Sequence, residues 1–272
     1  MDDTNLSLGK KKIGLALGGG AARGLAHIGV LKVLERMGIV PQMIAGTSMG
    51  SIIGAIYAKE LDAGLLEQYA MEWSRWKTAQ LLDPALPRVG LIKGKKVEAI
   101  LDTYLGEDNF SDLKVPFACV AVDIDTGEEI VIKEGLVASA VRASISIPGI
   151  FLPVEWDGRI LVDGGLVNPV PVSTVREMGA DFIIAVNVLP HPECRLLQQG
   201  EGDLSRGLNI FAILMQTVNI SANLIARVSL EGADLVIEPD LCLVSPTDFH
   251  LASECISKGM EAAERVLSTV KL

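Results

Sequence analysis

Two short apolar runs each end in a turn of small residues and pass straight into a helical pattern, and this restricts the folds open to the chain more than any other feature. Ile13 to Leu17 read as a buried strand, Gly18, Gly19 and Gly20 break it, and Leu25, Ile28, Leu31 and Leu34 then recur at helical spacing as far as Gly38. The pattern returns at once with a strand over 43–45, a glycine-containing turn, and a helix over 51–59. Further strands are expected over 116–122 and 129–133, joined by a turn at Asp125, Thr126 and Gly127, and then over 159–162, 182–188 and 233–238. Helices are expected over 67–79, 95–105, 136–143, 171–178, 204–230 and 251–270, with loops over 84–94 and 190–203. Strands that alternate with helices lie side by side in one direction, so an α/β fold is predicted, its mostly parallel sheet covered on both faces.

With 272 residues, 49% of them hydrophobic, the chain can bury one sizeable core. Residues 1–12 read as a polar tail and 13–272 as a single domain. No apolar run reaches the ~18 residues of a membrane-spanning helix, and the tail lacks the basic-then-apolar order of a secretory leader. The expected location is the cytoplasm, and the apolar stretch 210–228 is suited to peripheral packing on a membrane surface or on a second subunit. A net charge of −10 without a basic run argues against nucleic acid and against electrostatic capture by anionic headgroups. Cys119, Cys194, Cys242 and Cys255 form no CxxC pair and read as reduced thiols, and the lone His191/Cys194 spacing falls short of a zinc signature. Neither a metal nor a cofactor is expected.

Gly46-Thr47-Ser48-Met49-Gly50 fits G-x-S-x-G and lies between an apolar strand and a helix-forming run, the context in which that pattern presents a nucleophile. Flanking glycines let strand and helix approach without Cβ clashes, and the helix N-terminus favours developing negative charge. Alone, the motif is short enough to recur by chance as a plain strand–helix turn. The earlier turn, Gly18 to Gly24, exposes backbone N–H groups that no helix uses, suited to a phosphate or an oxyanion. A dinucleotide fingerprint fails there, because Arg23 and Ala21 occupy positions that need glycine, and no Walker lysine follows. An oxyanion hole fits better, since parallel pairing would bring both turns to one sheet edge.

A serine nucleophile needs a proton acceptor. His27 lies within the first helix and His191 in a polar loop, whereas His250 precedes the last helix, where a Ser-His-Asp hydrolase would place its histidine. The rival is Asp163, at a strand end before Gly164 and Gly165, although Asp-Gly is also a common turn pair. The residues alone leave dyad and triad nearly even.

Three motifs in this order, GGGAARG, GTSMG and DGG, together with the stretch Ala143 to Phe151, resemble the patatin-like phospholipase family, especially its short bacterial members, across about Ile13 to Val188. The resemblance implies a three-layer α/β/α sandwich and a Ser-Asp dyad without a catalytic histidine. Ser48 then serves as nucleophile and Asp163 as base, with Gly19, Gly20 and Ala21 as oxyanion-hole donors and Arg23 as the basic residue of that motif. Gly46, Gly50, Gly164 and Gly165 support the two catalytic turns. Implied substrates are acyl esters of phospholipids, lysophospholipids and simpler lipids. Ala21 departs from the third glycine of many members, and its N–H serves the hole provided φ stays negative. A non-catalytic regulator on the same fold is the other reading, although a binding module does not require all three motifs.

Overall fold

The first strand, β1 (Ile13–Leu17), sits near the centre of the main sheet, with parallel neighbours on both sides. The computed structural model describes residues 11–75, 90–92, 94–190 and 210–270. β1 pairs with β2 (Met43–Thr47), and β2 in turn with β4 (Phe117–Asp123). On the other side β1 pairs with β9 (Phe182–Val186), and β9 with β10 (Leu235–Ile237). These five strands are parallel, as the alternation of strands and helices predicts. Beyond β4 the direction changes: β5 (Glu129–Ile132) and β8 (Arg159–Asp163) both pair with β4 antiparallel, and β7 (Val154–Trp156) pairs antiparallel with β8.

The parallel strands are apolar without interruption because both faces are covered. Leu15, Leu17, Ile44, Phe182, Ile184 and Val186 pack in one cluster with α1 (Ala26–Arg36), α2 (Met49–Glu60) and α8 (Ala252–Leu267). Residues of opposite parity, Ala16, Met43, Ala45, Ile183 and Ala185, pack against Val172 and Val175 of α6 (Val172–Glu177) and Ala226 of α7 (Ile210–Ser229). The result is a three-layer α/β/α arrangement. Each buried aliphatic side chain contributes roughly 1.5–3 kcal/mol. α1 ends at Gly38, φ +70, where the Ile39 N–H reaches back 2.9 Å to Leu34 O, the six-to-one bond of a Schellman stop.

α3 (Ala63–Arg75), α4 (Lys95–Leu105) and α5 (Val137–Ser144) follow the expected pattern within a few residues. Two strands depart from it. β3 (Gly90–Ile92) falls inside the expected loop 84–94 and pairs in parallel with β6 (Gly149–Phe151). With β7, these three-residue strands are too short to carry a period-two pattern. The expected loop at 191–203 and helical residues at 76–79 and 204–209 lie outside the described residues, as do His191 and Cys194. Cys119 and Cys255 are free and buried, but Cys242 is disulfide-bonded, so the expectation of reduced thiols throughout does not hold. No helix among the described residues is long and apolar enough to cross a membrane.

Candidate active site

The strand order puts the two critical turns together. β1 and β2 are parallel neighbours and both end at the same sheet edge, beside the point where the strand order reverses, β1 continuing to β2 on one side and β9 to β10 on the other. Leu17 is level with Gly46, so the turn after β1 abuts the turn after β2, and a Cβ on Gly19 would lie 3.2 Å from Ser48 Cβ.

Ser48 links β2 to α2 with φ 53 and ψ −122, a conformation that costs a non-glycine residue of order 1–3 kcal/mol. Its neighbours explain themselves by space. A Cβ at Gly46 would meet Gly50 O at 2.4 Å, and one at Gly50 would meet Leu17 O at 2.1 Å. The Ser48 carbonyl accepts from Ser51 N and Ser51 Oγ, starting α2, while the Ser48 N–H donates to Ser144 Oγ at 3.0 Å.

Asp163 reaches the same point from β8. β2 and β8 are both neighbours of β4, with Thr47 level with Val120 and Asp163 level with Ala121, so the two side chains meet over the end of one strand. Ser48 Oγ donates to Asp163 Oδ2 at 2.6 Å, and the N–H of Gly165 donates to Asp163 Oδ1 at 2.8 Å. Gly164 has no room for a side chain, since a Cβ there would lie 2.3 Å from Val120 O. The Ser48 and Asp163 side chains are both buried. Burial raises the Asp163 carboxyl from 3.8 to about 6, and the hydrogen bonds from Ser48 and Gly165 pull the other way. His250 is exposed in the 3-10 turn Phe249–Leu251 and takes no part in this contact.

The glycine turn differs from expectation in two respects. The Gly19 N–H donates to Pro169 O at 2.9 Å and is not free for a ligand. Ala21 has φ +50, so the negative φ on which its N–H was made conditional is not found; the left-handed conformation nonetheless leaves that N–H without an acceptor among the described residues. Among the described residues the N–H groups of Gly20, Ala21 and Met49 donate to no protein acceptor. All three residues line the cavity in front of Ser48. Met49 escaped the sequence reading, although the residue after a G-x-S-x-G serine is a regular source of such a donor. Arg23 is buried, and its Nε donates to Val244 O at 2.7 Å while the Ala22 N–H donates to Pro246 O. Its side chain therefore ties the turn to the segment 241–248.

The cavity over Ser48 has a volume of about 580 Å³ and is overwhelmingly apolar. Ile52 and Ile56 from α2, Trp73 from α3, and Val218 and Ala222 from α7 supply part of it. Ile145, Ile147, Pro148, Ile150 and Phe151 add a wall from the segment after α5. The outer face of α7 exposes Ile220, Leu224 and Val228.

The patatin-like phospholipase family profile matches residues 15–176, more than half of the chain. An uncharacterised NTE family protein of Mycobacterium tuberculosis is 37% identical over 181 residues, which is 65% of this chain and 49% of that protein. Patatin-like phospholipase domain-containing protein 6 of Homo sapiens is 38% identical over 194 residues, 70% of this chain and 14% of that protein. Neuropathy target esterase sws of Drosophila melanogaster is 35% identical over 198 residues, 71% of this chain and 14% of that protein. The chain thus spans about half the length, or less, of the relatives it matches.

Proposed function

The chain belongs to the patatin-like phospholipase family, and from that premise we propose that it is a serine acyl hydrolase cleaving carboxylic esters of lipids through a Ser48–Asp163 dyad. One observation carries the reading: a 2.6 Å hydrogen bond joins Ser48 Oγ to a buried carboxylate at the floor of an apolar cavity. A plain turn aspartate would bond its own backbone and face water; this one spends one oxygen on Gly165 and aims the other at a strained serine.

Asp163 Oδ2 accepts the Ser48 proton as Oγ attacks the ester carbonyl. The carbonyl electrons move to the oxygen, and the N–H groups of Gly20, Ala21 and Met49 receive the oxyanion. Collapse of the tetrahedral intermediate expels the alcohol, which takes the proton back from Asp163. Water then loses a proton to Asp163 and attacks the acyl-enzyme, releasing the fatty acid and restoring Ser48. A carboxyl near 6 can both accept and return a proton close to neutral pH. The acyl chain of a phospholipid, lysophospholipid or simpler ester fits the apolar cavity. Peripheral contact with a lipid surface suits the outer face of α7, whose inner residues line that cavity.

A fluorophosphonate probe and p-nitrophenyl esters test the reading. Labelling at Ser48, with loss of labelling and turnover in a folded Ser48→Ala variant, is the expected result. A folded parent protein that neither takes the probe nor cleaves any ester would instead mark a non-catalytic member of the family.

A further inference from the structure

The backbones of Ser48 and Asp163 are both gripped by one three-residue segment at the end of α5. The Ser48 N–H donates to Ser144 Oγ at 3.0 Å, and two residues later Ser146 O accepts the Asp163 N–H at 3.0 Å. We propose that this segment is a shared clamp that sets the separation of nucleophile and base, with Ser144 as the positioning residue for Ser48 and Ser146 for Asp163. The inference rests on the dyad reading and adds residues that touch neither substrate nor reacting atoms.

The hydrogen bonds leave the clamp little freedom. Ser144 Oγ gives its one proton to Val120 O at 2.6 Å, so only its lone pairs face Ser48. Val120 belongs to β4, the strand that separates β2 from β8, and the hydroxyl therefore ties the serine turn to the strand between the two partners. Ser146 is held in turn. Its Oγ donates to Arg142 O at 2.9 Å and accepts from the Arg142 guanidinium at 2.7 Å, one helical turn back. Ser144, Ser146 and Arg142 are all buried. A serine held at φ 53 keeps that conformation only where its surroundings dictate it. Ser144 supplies that constraint to the N–H on one side of Ser48, while the start of α2 holds the carbonyl on the other.

The prediction separates positioning from support. Ser144→Ala is expected to lower kcat about 10- to 100-fold, as misplacement by about 1 Å does, with KM within about threefold because the cavity lining is unchanged. The Ser48 hydrogen bond holds the Asp163 carboxyl down, so a loosened contact moves the acid limb of the pH–rate profile upward. Ser144→Cys, which keeps the shape with a weaker donor and acceptor, should fall between parent and alanine. A folded Ser144→Ala variant with parental kcat and an unmoved acid limb overturns the clamp, whatever its stability. A crystal structure of Ser144→Ala decides the matter independently of turnover. Lengthening of the Ser48–Asp163 contact beyond hydrogen-bond distance supports the clamp, and an unchanged contact refutes it. Should the parent protein itself take no probe and cleave no ester, the hydrolase reading falls, while that structure still answers for the clamp.

Discussion

His27 Nε2 donates a 2.7 Å hydrogen bond to the carbonyl of Gly18, at the start of the turn beside Ser48. The ring is fully buried, and burial lowers its pKa from 6.5 to about 4, so it is neutral at pH 7. The carbonyl acceptor selects the Nε2–H tautomer, which leaves Nδ1 without a protein partner. The N–H of the same peptide unit, from Gly19, is held by Pro169 O. With both ends of that peptide fixed, the following N–H groups of Gly20 and Ala21 are aimed as well. His27→Leu is predicted to cost about 1–3 kcal/mol through the stranded carbonyl, and to lower kcat about tenfold with little change in KM. His27→Gln can restore the donor and should recover most of the rate. Steady-state kinetics with urea melts would check both; parental kcat in His27→Leu would detach the turn from the histidine.

Ala21 holds φ +50 where glycine would be unstrained, at a cost of roughly 1 kcal/mol. Ala21→Gly keeps the N–H and relieves the strain, so stability is predicted to rise by about 0.5–1 kcal/mol with turnover retained. Ala21→Pro lacks the N–H and demands φ near −65°, and should lose about 10²–10³ in kcat. Full turnover in a folded Ala21→Pro variant would remove Ala21 from the oxyanion hole.

In the proposed dyad, a base whose pKa is raised to about 6 places the acid limb of kcat/KM near pH 6, with a tenfold loss per unit below it. The same shift has a stability consequence of definite sign. Asp163 binds its proton more tightly when folded, so its contribution is present below 3.8 and is lost as pH rises through about 6. His27 works in the opposite sense: its contribution is present above 6.5 and is lost as pH falls toward about 4. Between pH 4 and 6 the two effects oppose each other. Asp163→Asn, with no group left to accept the proton, is predicted to be inactive yet about 2–3 kcal/mol more stable than the parent at pH 8. That gain should vanish toward pH 4, leaving a steeper acid loss than in the parent. Denaturant melts across this range would show it; equal stability at pH 8 would mean that burying the carboxylate costs the fold nothing.

What the sequence carried was local pattern, and what it lacked was partnership across the fold. β1, β2, β4 and β9 announce themselves because burial on both faces makes them apolar throughout. The order of the three glycine motifs identifies the family. The antiparallel run of β8, which brings Asp163 back over β4, has no signature in a five-residue strand. Nor can a run of glycines disclose that the Gly19 N–H is taken by Pro169, a residue 150 positions away in the chain. Ser144 and Ser146 lay inside the stretch Ala143 to Phe151 that the resemblance flagged, yet their hydroxyl partners, Val120 O and Arg142, became visible only in three dimensions. Met49, by contrast, is readable from the motif itself as the residue that follows its serine.

Gly29 on α1 and Gly259 on α8 sit where the two helices cross closely, and each is glycine because of the other helix's backbone. A Cβ on Gly29 would lie 2.0 Å from Ile256 O, and one on Gly259 would lie 2.0 Å from Ala26 O. Glycine inside a helix costs about 1 kcal/mol relative to alanine, so close packing is what offsets it here. The obstacle in each case is a main-chain carbonyl, which cannot swing aside as a side chain can. Gly259→Ala is therefore predicted to destabilise the protein by about 1–3 kcal/mol, despite alanine's better helix propensity. Because α1 begins directly after the glycine turn and carries His27, pushing it outward should also lower kcat. Gly64→Ala on α3 is the control, since its Cβ would meet only the Asp62 side chain at 3.2 Å, and it should leave stability unchanged or raise it. Thermal melts of the two variants should move in opposite directions from the parent, or Gly259→Ala should at least fall well below Gly64→Ala. If Gly259→Ala melts with the parent and turns over at the parental rate, the crossing neither limits stability nor positions the turn.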